Sequence, residues 1–148
     1  MLTETLKTLF SRDLDRLKAE IQLYQNEKKI WYIEKGIANS AGNLCIHLIG
    51  NLNTYIGAQL GQTNYIRHRE LEFSQKDIPK AELLSKIEET ARIVDRTISN
   101  LTDEELKKEH PALVFDKKTS IEYLLVHLTT HLTYHLGQIN YHRRLLDN

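Results

Sequence analysis

A histidine recurs at every fourth position near one end of this chain, as His127, His131 and His135, inside a leucine-rich stretch running from Leu124 to His142. A helix advances roughly 100° per residue, so each four-residue step drifts by only about 40°. The three imidazoles, with His142 seven positions further on, therefore share one helical stripe. The stripe commits this segment to a helix and marks it as a source of metal ligands. No other segment offers comparable chemistry: there is no Gly-rich phosphate loop, no cysteine pair and no Gly-x-Ser-x-Gly turn.

Apolar residues at helical spacing organise the rest of the chain. Leu2, Leu6, Leu9, Phe10, Leu14, Leu17, Ile21 and Tyr24 predict a first amphipathic helix from about residue 2 to about 26. Ser40 is placed to cap a second helix carrying Leu44, Ile46, His47, Leu48, Leu52 and Ile56, and ending near Gly57 to Gly61. A third starts around Asp77-Ile-Pro-Lys, where proline suits a first turn, and runs to Leu101. Thr119-Ser-Ile-Glu122 has capping-box spacing and announces the fourth, about 120 to 146. No run of period-two alternation lies between hairpin turns, so the fold class is all-α with four long helices. The long connections after the second and third helices indicate a crossover or a functional lid.

The chain has 148 residues, the size of one ordinary domain, and a single domain over 1–148 is expected. Lysine plus arginine equals aspartate plus glutamate at 20 each, so no cationic field attracts a phosphate backbone, and nucleic acid is not expected as a partner. The N-terminal stretch mixes charges among its apolar residues, unlike a secretory signal, and the stretch Leu44 to Gly50 is too short to span a bilayer. One cysteine, Cys45, excludes an intramolecular disulfide and fits a reducing compartment, so the expected location is cytoplasmic, with no membrane partner.

Within a helical bundle, ligands from facing helices project inward and leave coordination positions open toward one end. The fourth helix supplies two or three imidazoles, and its spacing alone does not choose between the pairs 127/131 and 131/135. His47, embedded in Leu44-Cys-Ile-His-Leu-Ile, is placed to complete the set. Asn43 and Asn51, four residues to either side, share its face and are candidates to orient it. A lone inward histidine is usually an ordinary hydrogen-bonded core residue. Several stacked together leave lone pairs unsatisfied or repel on protonation unless a cation joins them. Three histidines with an exchangeable position suit a divalent ion, zinc or nickel first, with iron or manganese next. Cys45 lies about 200° around the helix from His47 and faces a neighbouring helix instead.

The zinc-protease pattern puts a glutamate beside its first histidine, whereas Leu128, Leu132 and Leu136 follow these. A hydrolytic base has to come from a loop residue such as Glu70 or Glu72, against the plainer reading of Arg67-His-Arg-Glu-Leu-Glu as a solvated, salt-bridged surface. Otherwise the metal itself activates a water or a thiol. Trp31 and Tyr32 read as aromatics packed over an end of the bundle, and Tyr141-His-Arg-Arg144 as a helix terminus interacting with its own dipole.

With His47 in the second helix, Asn39-Ser-Ala-Gly-Asn43 leading into it, and His131-Leu-Thr-Tyr-His135-Leu-Gly-Gln138-Ile in the fourth, nearly the whole chain resembles the DinB-like (DinB/YfiT-like) superfamily of metal-dependent enzymes. It is closest to a branch known mainly as a domain of unknown function. The resemblance implies an up-down-down-up four-helix bundle holding a divalent metal through His47, His131 and His135. His127 is then a pocket residue beside the ligands, Gln138 lines the site, and Gly137 permits close helix packing. Members include thiol transferases and presumed hydrolases, and many are dimers. The expected function is a metal-dependent enzyme that activates a low-molecular-weight thiol for transfer to a small electrophile, with a homodimer as the assembly. A hydrolase and a non-catalytic metal- or ligand-binding bundle are the alternatives.

Overall fold

The computed structural model describes residues 1–113 and 116–148; residues 114–115, in the connection before the last long helix, lie outside the described residues. The described residues are all-helical, without a strand, and contain one isolated antiparallel bridge between Glu109 and Ser120. In chain order the helices are α1 (Leu2–Leu23), α2 (Ala41–Leu52), α3 (Arg69–Ser74), α4 (Lys80–Ser99), α5 (Asp103–Leu106) and α6 (Ile121–Leu146). A 3-10 turn, Glu27–Trp31, follows α1, and a π-helical segment, Asn53–Ala58, prolongs α2.

Amphipathic spacing decides how the outer helices pack. α1 buries Leu6, Phe10, Leu14, Leu17 and Ile21, the i, i+3, i+4 set of one face, against α4 and α6. α4 answers with Leu83, Ile87, Val94 and Ile98. On α6 the buried stripe is Leu124, Leu128, Leu132, Leu136 and Ile139, so each histidine of the repeat precedes a buried leucine and sits at the edge of the core face. α2 differs in kind: every residue from Ala41 to Leu52 is buried, because α3, α4, α6 and the 3-10 turn all pack on it. A helix apolar all round belongs inside, and this one takes His47 inside with it. No helix among the described residues is long and apolar enough to cross a membrane.

Several expected boundaries shift for local reasons. α1 stops at Leu23, where Tyr24 turns extended, rather than near residue 26. Pro79 is the N-cap of α4 rather than part of its first turn. The Thr119–Glu122 box does not form: Ser120 caps α6 by accepting from the Tyr123 amide at 3.0 Å. The reciprocal box appears instead at Thr102 and Glu105, heading the unforeseen α5. Trp31 packs on the α2 backbone, as expected of an aromatic at this end, with its ring filling the place a Cβ on Gly42 would take.

His110 ties the connection after α5 to the π segment. It is buried, its Nδ1 accepts from the Ala112 amide at 3.0 Å, and its Nε2–H therefore donates to the Tyr55 carbonyl at 3.1 Å. Burial holds its pKa below the ordinary 6.5, against those two hydrogen bonds, which raise it. Between the folded and unfolded values the unfolded chain binds more protons here, so the contribution of His110 to stability falls as pH drops below about 6.5 and is fully present above it. Replacing His110 with glutamine, which keeps a donor and an acceptor, is expected to flatten the decline of the urea midpoint between about pH 7 and 5. An equally steep decline in His110→Gln assigns the acid sensitivity elsewhere.

Candidate metal centre

α2 and α6 bring three imidazoles together. His131 Nε2 lies 3.3 Å from His47 Nε2 and 3.2 Å from His135 Nε2, and one ring nitrogen from each of the three falls within a 4.8 Å cluster. Their rings meet edge to face, with centroids 4.6 to 5.3 Å apart. His47 is 8 % exposed and the other two are partly buried.

The outer nitrogens of two of these rings are tied back. His47 Nδ1–H donates to Glu72 Oε1 at 3.0 Å, and His135 Nδ1–H donates to Gln138 Oε1 at 2.7 Å. A neutral imidazole that donates from Nδ1 keeps a lone pair on Nε2, so both rings aim lone pairs at the shared centre. Glu72 is held from two further sides. Arg67 grips it with two hydrogen bonds of 2.8 Å, and its carboxylate rests on α2 where Gly50 has no side chain. A Cβ at position 50 would lie 2.0 Å from Glu72 Oε2. Burial alone raises the Glu72 pKa, but the hydrogen bonds from Arg67 and His47 outweigh it and hold the carboxyl below its ordinary value. Asn43 secures the backbone of this segment, donating from Nδ2 to the carbonyls of Glu72 and Gln75 at 3.0 and 2.9 Å.

The donor set fits a divalent cation. Tetrahedral nitrogen ligands about 2.0–2.1 Å from zinc stand about 3.4 Å apart, close to the two separations seen here. The third ring carries the remaining signal: His131 Nδ1 is buried and has no hydrogen-bond partner among the described residues. If its proton sits on Nδ1, three lone pairs face one another; if on Nε2, it serves only one neighbour. A cation satisfies all three Nε2 atoms together. Burial first, and then the neighbouring His135, His47 and His127, push the His131 pKa down to about 4, so the ring stays neutral and able to coordinate at ordinary pH. The three-histidine group can therefore hold a metal ion.

A family model described as "Protein of unknown function (DUF1572)" matches residues 3–148. The chain belongs to this family. No curated protein matches it.

In this DUF1572 chain the other expected site residues have divided fates. His127 stacks on His131, with ring centroids 6.3 Å apart, outside the three-nitrogen cluster. Gln138 touches the site by orienting His135. Asn43 acts on His47 through the Glu72 segment, and buried Asn51 has an Oδ1 with no hydrogen-bond partner among the described residues. His142 keeps to the stripe in projection but not to the cluster: seven residues beyond His135 places it about 10 Å further along the helix. There it accepts from the Tyr24 hydroxyl at 2.6 Å and donates to the Tyr32 carbonyl at 2.9 Å, a core residue rather than a terminal one facing the dipole. Gly137 permits no close packing, since a Cβ there would meet nothing within 4 Å. Cys45 faces the core as expected, its thiol pushed up to about 12 by burial.

Residues 67–72 are salt-bridged and largely exposed, as expected, except that Arg67 is partly buried and Glu72, in the first turn of α3, is buried against the site while Glu70 stays exposed. The pairing of Glu72 with Arg67 and with an α2 histidine has no sequence signature. Gly50 had one: an isolated glycine within a helix sacrifices about 1 kcal/mol relative to alanine and often marks a close approach.

Two substitutions test this support. Glu72→Gln keeps an acceptor but loses the charge, and is expected to weaken zinc binding by about 10–100-fold in a competition titration with a chromophoric chelator. Gly50→Ala is expected to lower stability by about 1–3 kcal/mol despite alanine's better helix propensity, because the methyl displaces the carboxylate. Wild-type affinity in Glu72→Gln would show that His47 needs no anionic partner.

Proposed function

We propose that this DUF1572 chain is a DinB-like four-helix bundle of up-down-down-up topology, in which His47, His131 and His135 hold a divalent metal and which works as a metal-dependent enzyme on small molecules. Zinc or nickel suits three imidazoles best, with iron and manganese next. The observation that carries this reading is the convergence of three Nε2 atoms from two helices, two of them with the opposite nitrogen already committed to a carboxylate or an amide. A structural zinc site would normally close with a fourth protein ligand, whereas three leave a position for water or substrate.

A metal so bound supplies Lewis acidity, which lowers the pKa of a bound thiol or water into the physiological range. The chain's own groups favour the thiol. Glu72 is committed to Arg67 and His47, and Glu70 is exposed beside His68, so neither carboxylate stands as a general base for water. A thiolate is nucleophilic without such a base, and transfer of a low-molecular-weight thiol to a small electrophile is the reaction best served. The protein's part is then to keep His47 and His135 in the tautomer that faces the metal, to keep His131 neutral, and to orient substrate near Gln138.

Protein purified without an affinity tag is expected to contain about one divalent ion per chain, and His131→Ala to contain almost none. The metal-loaded protein is expected to consume a cellular thiol in the presence of a model electrophile such as a haloalkane or an epoxide, with turnover abolished in His131→Ala. Metal binding without thiol turnover leaves the hydrolase or a non-catalytic metal-binding bundle. Metal-free protein whose melting temperature ignores zinc, nickel and manganese refutes the metal reading altogether.

A further inference from the structure

A cleft of about 550 Å³ opens beside His135, between residues 36–39 and the outer face of α6. That volume falls in the range of about 300–1,000 Å³ common to small-molecule sites. Ile37 and Ala38 form one wall, Leu44 the floor, and Tyr134, Tyr141 and Leu145 the other wall. Those three α6 side chains are 65 %, 63 % and 64 % exposed, so the protein itself leaves this apolar wall uncovered. At the end nearest the metal centre the lining changes to His135 and Gln138, the hydrogen-bonded pair that holds one candidate ligand in place. Tyr134 also touches the His135 ring edge to face, with centroids 5.3 Å apart. The cleft and the three-histidine cluster are therefore continuous through one imidazole.

Its electrostatics are as informative as its position. Charged residues make up 27 % of the chain, yet no lysine, arginine, aspartate or glutamate is among the described residues lining this cleft. Besides His135, the polar side chains among its lining residues are Asn39, Gln138, Tyr134 and Tyr141, none carrying a formal charge, while His142 has both ring nitrogens paired with Tyr24 and the Tyr32 carbonyl. A charged ligand would lose hydration here without gaining an ion pair, whereas a flat apolar body gains contact area on the tyrosine faces. Gln138 can at the same time read a single hydroxyl or carbonyl.

We infer that this cleft is the substrate-binding site and that its occupant is an uncharged small molecule with an aromatic or extended apolar body, its polar end directed to Gln138 and His135. The inference rests on the enzyme reading above only in taking the metal-facing end as the reacting end. In thiol transfer the occupant is the electrophile: the thiolate sulfur bonds to its carbon as the carbon–halogen or carbon–oxygen bond breaks, and the halide leaves or the epoxide oxygen takes up the proton the thiol gave to solvent.

The test uses three matched probes on the full chain: naphthylmethanol, naphthalenesulfonate and naphthylmethylammonium, followed by shifts of the Gln138 side-chain amide and the Tyr141 ring in NMR titrations. The neutral alcohol is expected to bind at least about tenfold more tightly than either ion. Ala38→Trp, an exposed site outside any helix where a bulky ring fills the cleft without touching the core, is expected to weaken the alcohol by at least about tenfold. Tyr141→Ala, also exposed, is expected to weaken it less. Equal binding of all three probes, or binding unaffected by Ala38→Trp, overturns the assignment. Loss of probe binding at higher protein concentration, with a matching rise in particle mass, also overturns it by making this face a contact between copies. Alcohol binding in the cleft of a protein that takes up no metal refutes the enzyme reading and leaves the cleft assigned.

Discussion

The Glu72 carboxylate, seated on Gly50 and gripped by Arg67, is the constraint from which the geometry of the site follows. A buried carboxylate without a partner is unfavourable by several kcal/mol, so once α3 carries Glu72 inward its oxygens must find donors. Arg67 provides two and His47 a third, and the hydrogen bond to His47 decides which nitrogen of that ring faces the centre. Removing any member changes the others. Without Gly50 the carboxylate has no room; without Asn43 the backbone that carries it is unpinned; without Arg67 its charge is only half answered.

The opposite side of the site is organised by weaker and more local means. His131 and His135 belong to one helix, and their approach follows from the four-residue repeat and from the buried leucines that set the rotation of α6. That rotation is reinforced at the α1 interface, where buried Asp13 accepts from Thr133 at 2.7 Å and Glu20 accepts from Asn140 and Arg143. These contacts fix how far α6 turns toward α2. The imidazoles consequently sit at the border between core and cleft, dry enough to remain neutral and open enough on the His135 side to meet a ligand. Such a border position is what an exchangeable coordination site requires.

Seven histidines occur in the chain, and residue type alone did not decide their roles. His131 and His142 share a stripe, yet one meets three other imidazoles and the other meets Tyr24 and the Tyr32 carbonyl. The difference is axial: angular periodicity describes a helix in projection, while partners are chosen by height along it. His110 carries no repeat at all and is as deeply buried as any, because the Tyr55 carbonyl of the π segment and a loop amide are in reach. The Arg67 to Glu72 segment shows the complementary effect. Its composition is that of a surface and residues 68–71 are exposed, but the space above Gly50 takes in the Glu72 carboxylate.

The sequence by itself determined the all-helical class, the four long apolar repeats, the Ser40 cap, the shared stripe of His131 and His135, and the candidacy of His47 on a helix too apolar to lie outside. These are properties of periods and caps, set by interactions within a few residues of one another. The tertiary structure alone decided that the two helices meet at their histidines, that Glu72 is hydrogen-bonded to His47, that His142 belongs to the core, and that a cleft without a charged lining residue opens beside His135. Each of those depends on groups brought together across tens of residues, where the selecting quantities are free volume and the need of buried polar atoms for partners. Neither is written in any local pattern.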